Sequence, residues 1–302
     1  MVKLTESSVK SSVDYLKQFY QGQSIGAFTA EPEINGRYFY QHGLSQLNFC
    51  KQYNQLDTLL DELLAQQSEQ LNDKKVPGIY VGSAHVDQLL PGFRDENDLS
   101  ALSQFKPLMS IWLSNQSRIA AHHDVPNNIA CCIAGKRRFT LFPPEQLENL
   151  YIGPLDNTPA GQAVSLVDFH QPDWLKYPRF KTALQHAQIA ELETGDALFL
   201  PSMWWHHVES LSPYNILVNY WWQTTSSHMG APMDAMMHAL LNIKNLPIEQ
   251  KEAWFEMFKY YVFNNDSAAL SHIPTEQLGV LNPMDDKSSR QIRSMLLNKL
   301  NK

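Results

Sequence analysis

The residues best suited to chemistry are His122 and Asp124, two positions apart in Ala121-His122-His123-Asp124, and the pair His206-His207, far downstream in Pro201-Ser202-Met203-Trp204-Trp205-His206-His207-Val208. In a strand, residues two apart share a face, so His122 and Asp124 point together and His123 points away. An imidazole and a carboxylate so placed can share a metal ion. Alone, the pair means little, because a hydrogen-bonded surface pair has the same spacing. A third ligand changes that. Gly195-Asp196 turns the chain into an apolar strand, Pro201 ends it, and the chain re-enters a strand at His206. Two imidazoles and one carboxylate on one side of a metal form the facial triad of non-haem Fe(II), which leaves positions open for substrate and oxygen. Zinc more usually closes a tetrahedron, and no fourth protein ligand is evident.

Such a triad needs a rigid scaffold, and the surrounding sequence supplies strands. Short β-like runs are Ile79–Val81, Leu108–Leu113, Ile129–Ile133, Arg138–Phe142, Ile189–Leu192, Ala197–Leu200 and Ile216–Trp222, punctuated by Gly135, Pro143-Pro144, Gly195-Asp196 and Pro213. Many short strands at this spacing predict a jelly roll or β-sandwich. Two helices precede them, from about Thr5 to Tyr20 and from about Gln55 to Leu71, the second with Leu56, Leu59, Leu60, Leu63 and Leu64 on one face and Asn54 as N-cap. Tyr151 to His186 reads as a long insertion, of the kind that forms lids or binding loops. After Gly230 the chain turns helical, with segments Met233–Ile243, Ile248–Phe263 and Ser288–Leu300. The stripe Trp254, Phe255, Phe258, Tyr261 and Val262 suits either plain core or a homodimer interface. The expected organisation is a catalytic domain over 1–230 and a helical region over 231–302.

The bulk numbers exclude several classes. The 302 residues are 43% hydrophobic and 18% charged, a globular balance. The net charge of -7 argues against broad nucleic-acid or anionic-membrane binding. The three cysteines, Cys50, Cys131 and Cys132, form no Cys-x-x-Cys pair, which fits a reducing cytoplasm. No apolar run approaches the ~18 residues of a membrane helix, and the N-terminus shows no signal-peptide core.

Four motifs occur in order: Ala121-His122-His123-Asp124; Gly135-Lys136-Arg137-Arg138-Phe139-Thr140-Leu141-Phe142-Pro143-Pro144; Pro201 to Ser210 around His206; and Val218-Asn219-Tyr220-Trp221. The stretch from about Trp112 to Trp222 resembles the JmjC and cupin-like 2-oxoglutarate oxygenases, and within them the asparaginyl hydroxylases that inhibit hypoxia-inducible factor. The resemblance implies a double-stranded β-helix with flanking helices. It implies Fe(II) held by His122, Asp124 and His206, and 2-oxoglutarate as cosubstrate. The 5-carboxylate of 2-oxoglutarate needs a buried cation. Phe139 and Leu141 share a strand face with Arg137, so Arg137 is the inward cation if that face is the core, and a one-residue slip would exchange it for Lys136. The family usually has Lys here, and a guanidinium is longer and bidentate. Tyr80 matches a tyrosine that reaches the same carboxylate, or is a packed strand residue. Asn128 and Asn219 match asparagines near the 1-carboxylate. Trp221, two past Asn219, shares its face and reads as an active-site wall, whereas Trp204 and Trp205 read as core. Ile119 stands where relatives often carry Thr or Ser, and it cannot donate a hydrogen bond.

The resulting expectation is a cytoplasmic hydroxylase of a protein side chain or small molecule, releasing succinate and CO2. The alternatives are a tRNA-base hydroxylase, a lysine demethylase, or a cupin that binds metal without oxygenase chemistry.

Overall fold

A computed structural model describes residues 9–70, 72, 74–264 and 267–301. Thr5 to Ser8 and Leu71, the outer ends of the two expected N-terminal helices, lie outside the described residues. The chain divides into two compact units, one ending at Gln223 and one beginning at Thr224.

The first unit is built from two facing sheets, as the strand pattern predicts. The seven-stranded sheet has the order β10 (Ala197–Leu200), β7 (Asn127–Ala134), β12 (Asn215–Trp222), β5 (Leu108–Ser114), β4 (Gly78–His85), β1 (Ser24–Ala30), β3 (Cys50–Gln55). The five-stranded sheet has the order β2 (Arg37–Tyr38), β6 (Ser117–His123), β11 (Trp205–Ser210), β8 (Arg137–Phe142), β9 (Gln188–Leu192). Every pairing is antiparallel except β2 with β6. Together these sheets form a jelly roll with flanking helices.

Period-2 alternation sorts the side chains of the larger sheet. Ile111, Leu113, Ile216, Val218 and Tyr220 face outward into a core shared with α1 (Val9–Phe19) and α2 (Leu56–Gln70), against Val13, Leu16, Leu56, Leu59, Leu60 and Leu63. Ala130, Cys132 and Leu217 face inward, where Phe139, Leu141, Leu192 and Leu200 complete a second cluster between the sheets. Strand β12 is covered on both faces, so Asn215 to Tyr220 are all buried. Asn54 is not the cap of α2; it lies in β3, paired with Ile25, because that strand runs straight into the helix.

The insertion between β8 and β9 is mostly irregular, with a 3-10 turn at Pro144–Gln146 and one short α-helix, Phe180–Gln185. Its Phe180 packs with Phe142, Leu150, Val167 and Trp205 on the outer face of the smaller sheet. Asp168 pairs with Arg37 and Arg118, Phe169 stacks on His207, and His170 contacts Glu209 at 2.5 Å.

The second unit is helical: Pro232–Asn242, Ile248–Phe258 continued by a π-turn to Phe263, and Asp286–Leu300. The last helix is closed by a capping box in which Asp285 accepts from the Ser288 amide. Trp254, Phe255, Tyr261 and Val262 are exposed, so the aromatic stripe is not plain core.

Candidate active site

Strands β6 and β11 are antiparallel neighbours, and their register sets His122 directly opposite His206. The two rings lie with centroids 4.4 Å apart. Asp124 follows the end of β6, one residue beyond the strand, and its Oδ2 is 3.6 Å from His206 Nε2. The Asp124 carbonyl accepts from the Met203 amide at 2.9 Å, which ties this loop to the segment entering β11. One donor atom from each of the three residues lies within 4.8 Å of the others. Donors of an octahedral ion with bonds of about 2.1 Å sit about 3 Å apart, so the cluster is slightly expanded around a space of that size.

The tautomers are fixed by the backbone. His122 Nδ1 lies 2.9 Å from the Ala120 carbonyl, and His206 Nδ1 lies 3.0 Å from the Trp204 carbonyl. A carbonyl only accepts, so each Nδ1 carries the proton and each Nε2 keeps its lone pair. Such orientation of the distal nitrogen is how proteins prepare a metal-binding imidazole. Burial, with the neighbouring His122 adding to it and Asp124 opposing, lowers the His206 pKa below its ordinary value. It is therefore neutral near pH 7, as a ligand must be. The donor set fits a facial two-histidine, one-carboxylate metal site.

The triad stands at one end of a narrow cleft of about 430 Å³ of empty space, mouth included, between the two sheets. Arg137 closes the other end, in register with Ser210 of β11. It is only 3% exposed, and its Nε and Nη2 have no hydrogen-bond partner among the described residues. Burial lowers the guanidinium pKa, with Cys132 and Tyr80 opposing. Lys136 points the other way and pairs with Glu193 at 2.5 Å on the surface. The alternation of β8 thus selects Arg137 over Lys136 as the inward cation.

The remaining expected residues converge on the same cleft. Tyr80 lines it, and burial pushes its hydroxyl pKa up, with Arg137 as the opposing influence. Asn128 lines it with a buried Oδ1 that has no partner among the described residues. Asn219 Oδ1 accepts from Trp112 Nε1 at 2.8 Å. An indole N–H can only donate, so this contact fixes the amide and leaves its NH2 as a donor. Trp221 forms a wall, edge-on to Trp112 at 6.0 Å. Ile119, Phe139, Leu200, Val208 and Leu217 make an apolar belt between the two polar ends.

His123, Trp204, Trp205 and His207 do not line the cleft. Trp205 is buried outside the smaller sheet, with His123 edge-on against it. His207 is buried there too, held down to about 3 by burial and by His170. Trp112 is a site residue that motif reading missed as such. Its signal is present, since it sits two positions before the inward Ser114 in β5.

A cupin-like domain model matches residues 2–228, and the chain belongs to that family. It is of the JmjC type, whose members are typically 2-oxoglutarate-dependent oxygenases. Lysine-specific demethylase JMJ31 of Arabidopsis thaliana is 30% identical over 167 residues, which make up 55% of this chain and 29% of the demethylase. The tRNA wybutosine-synthesizing protein 5 of Homo sapiens is 30% identical over 132 residues, 43% of this chain and 36% of that protein. HSPB1-associated protein 1 of Homo sapiens is 31% identical over 116 residues, 38% and 23% respectively. The chain therefore spans about a quarter to a third of the length of these relatives. No helix among the described residues is long and apolar enough to cross a membrane.

Proposed function

We propose that this protein is an Fe(II)- and 2-oxoglutarate-dependent hydroxylase of a protein side chain. The observation that carries the proposal is Arg137, a buried guanidinium with two nitrogens unpartnered among the described residues, at the closed end of the cleft that holds the triad. A buried charge without a partner is costly, and a dicarboxylate reaching from the metal to Arg137 supplies the missing anion. His122, Asp124 and His206 would hold the iron. Arg137, helped by the Tyr80 hydroxyl, would bind the 5-carboxylate, and Asn128 and Asn219 would face the 1-carboxylate end. Trp221 would wall the substrate side.

Bound iron and 2-oxoglutarate supply the oxidation: O2, 2-oxoglutarate and a C–H bond give succinate, CO2 and an alcohol. The protein's part is positional. The backbone carbonyls of Ala120 and Trp204 hold the imidazoles in the ligating tautomer. The apolar belt excludes water and strengthens the attraction between Arg137 and a carboxylate.

The motif likeness to asparaginyl hydroxylases favours side-chain hydroxylation. The relatives named for lysine demethylation and for wybutosine synthesis keep those two chemistries as the second reading. The net charge of -7 weighs against tRNA. The free thiols Cys50, Cys131 and Cys132 suit the cytoplasm. The exposed stripe Trp254, Phe255, Tyr261 and Val262 suits a homodimer.

The test is succinate formation with Fe(II), ascorbate, O2 and 2-oxoglutarate, together with 2-oxoglutarate binding to the iron-loaded protein. Activity in the wild type, lost in His122→Ala and Arg137→Ala, is the expected result. Failure of the iron form to bind 2-oxoglutarate would replace the oxygenase with a metal-binding cupin.

A further inference from the structure

We propose that a crevice between β1 and β4 is a second binding site, taking an extended acidic segment of the protein substrate; this rests on the oxygenase reading above. The β1–β4 ladder runs only from Phe28↔Tyr80 to Ala30↔Gly78. Beyond Tyr80, β4 bulges: its register to β5 shifts between Val81 and Ala84, and Ser83 has a φ of +47°. From there β4 stays with β5 while β1 stays with β3, and the two strands part. Ser24 to Gly26 and Gly82 to His85 then border a cavity of about 860 Å³ of empty space, mouth included. Two strand edges facing each other without a ladder offer backbone donors and acceptors on both sides, which is what an extended peptide recognises.

The side chains around this crevice state the chemistry. None of the lining residues is acidic, and the lining includes Lys51 and His85, in a chain of net charge -7. Lys51 lies across the floor: a Cβ on Gly26 would be 2.8 Å from its Cε. The absence of a side chain at Gly26 makes room for the Lys51 stem, and Gly82 lies directly on Tyr80 and Trp112. Charge and open backbone together select a strand-like peptide bearing carboxylates.

The location ties the crevice to the active site. A Cβ on Gly82 would meet Tyr80 at 3.1 Å and Trp112 at 3.4 Å, both of which line the metal cleft. One aromatic layer therefore separates the two cavities. The registers also set their directions. Arg137↔Ser210 and Tyr80↔Ser114 mark the closed end of the barrel, whereas His206↔His122, Trp221↔Leu108 and His85↔Ser110 lie toward the other. The crevice opens at the end that carries the triad. A chain seated in it emerges beside the mouth of the cleft, which favours a protein substrate over a small molecule.

The probe is a blocked hexapeptide of alternating Glu and Val, titrated calorimetrically into the full iron-loaded chain. Its Lys-Val counterpart and a version N-methylated at alternate amides are compared with it. The Glu-Val peptide should bind, and each of the other two should bind at least about tenfold more weakly. Lys51→Glu, a change on an exposed strand, should weaken the Glu-Val peptide by about tenfold and leave 2-oxoglutarate binding unchanged. Hydrogen exchange should slow at Ser24–Ala27 and Gly82–His85 when the peptide is bound. No binding, equal binding of both charges or of the methylated peptide, indifference to Lys51→Glu, or protection elsewhere would each overturn the proposal. Wild-type protein that binds the peptide but not 2-oxoglutarate would remove the oxygenase reading alone. The reverse result would remove only the crevice.

Discussion

Replacing Arg137 by methionine separates its cost from its use. The guanidinium is 3% exposed, and Nε and Nη2 are without partners among the described residues. An unsatisfied buried polar group costs about 1–3 kcal/mol, and more when charged. Methionine follows the aliphatic stem of arginine and carries no donor, so the ligand-free variant should be more stable. For a domain of this size 1 kcal/mol moves the midpoint by about 2–4 °C, so a rise of about 2–12 °C is expected. With 2-oxoglutarate that advantage closes or reverses. At a hundred times its Kd the ligand stabilises the wild type by about 2.7 kcal/mol. Losing a charge-assisted pair costs the variant about 3 kcal/mol of affinity, more than a hundredfold, and its ligand shift should vanish. Scanning fluorimetry of both iron-loaded proteins with and without 2-oxoglutarate reads all four midpoints. A variant that is less stable alone and still shifts with 2-oxoglutarate would refute the reasoning, because Arg137 would then be a structural residue and the cosubstrate would be anchored elsewhere.

Four other outcomes follow from the geometry. His207→Leu removes two buried ring nitrogens that have no partner among the described residues; it should be neutral to stabilising by about 1–2 kcal/mol in denaturant unfolding and should retain the metal, whereas His206→Leu should lose it. Gly135→Ala places a Cβ against Asn215 and the Tyr214 carbonyl at a φ of +81°, and should cost about 2–4 kcal/mol by the same unfolding measurement. Burial pushes both Cys131 and Cys132 up to about 11, so a thiol reagent at pH 8 should titrate the exposed Cys50 alone until the chain is unfolded. A homodimer through the exposed stripe should appear in sedimentation at micromolar concentration and dissociate in Trp254→Glu; a wild-type monomer would remove it.

Residue type and spacing paired His122 with Asp124, the family resemblance chose His206 over His207, and strand period turned Arg137 rather than Lys136 inward. Asn219 and Trp221 lie in a motif, Tyr80 and Asn128 were matched through the family resemblance, and all four line the cleft. What stayed hidden depends on partners distant in sequence. Strand β3, Cys50 to Gln55, is polar and mostly exposed, so it carries no alternation to read. It is a strand because β1 pairs with it, and that pairing also displaced Asn54 from its expected cap. The burial of His207 comes from Phe169 in the insertion, whose irregular sequence announces no docking point. The β1–β4 crevice arises where two strands diverge, a property of the sheet and not of either segment.

Ile119 and Arg137 are better understood as one arrangement than as two departures from a family pattern. Both line the cleft, with Phe139, Val208 and Leu217 between Arg137 and the metal end. A hydroxyl at position 119 would share the work of holding a carboxylate with a lysine. Isoleucine cannot share it, but it extends the apolar belt and lowers the local polarity. In such surroundings a charge-assisted pair is stronger, and a guanidinium can meet a carboxylate with two parallel hydrogen bonds where an ammonium makes point contacts. The orphaned Nε and Nη2 are neighbouring nitrogens of one planar group, so the donors left unpaired are those that a single carboxylate can satisfy together. The cost of burying Arg137 and the absence of a hydroxyl at position 119 would thus be offset by the one carboxylate ligand proposed above.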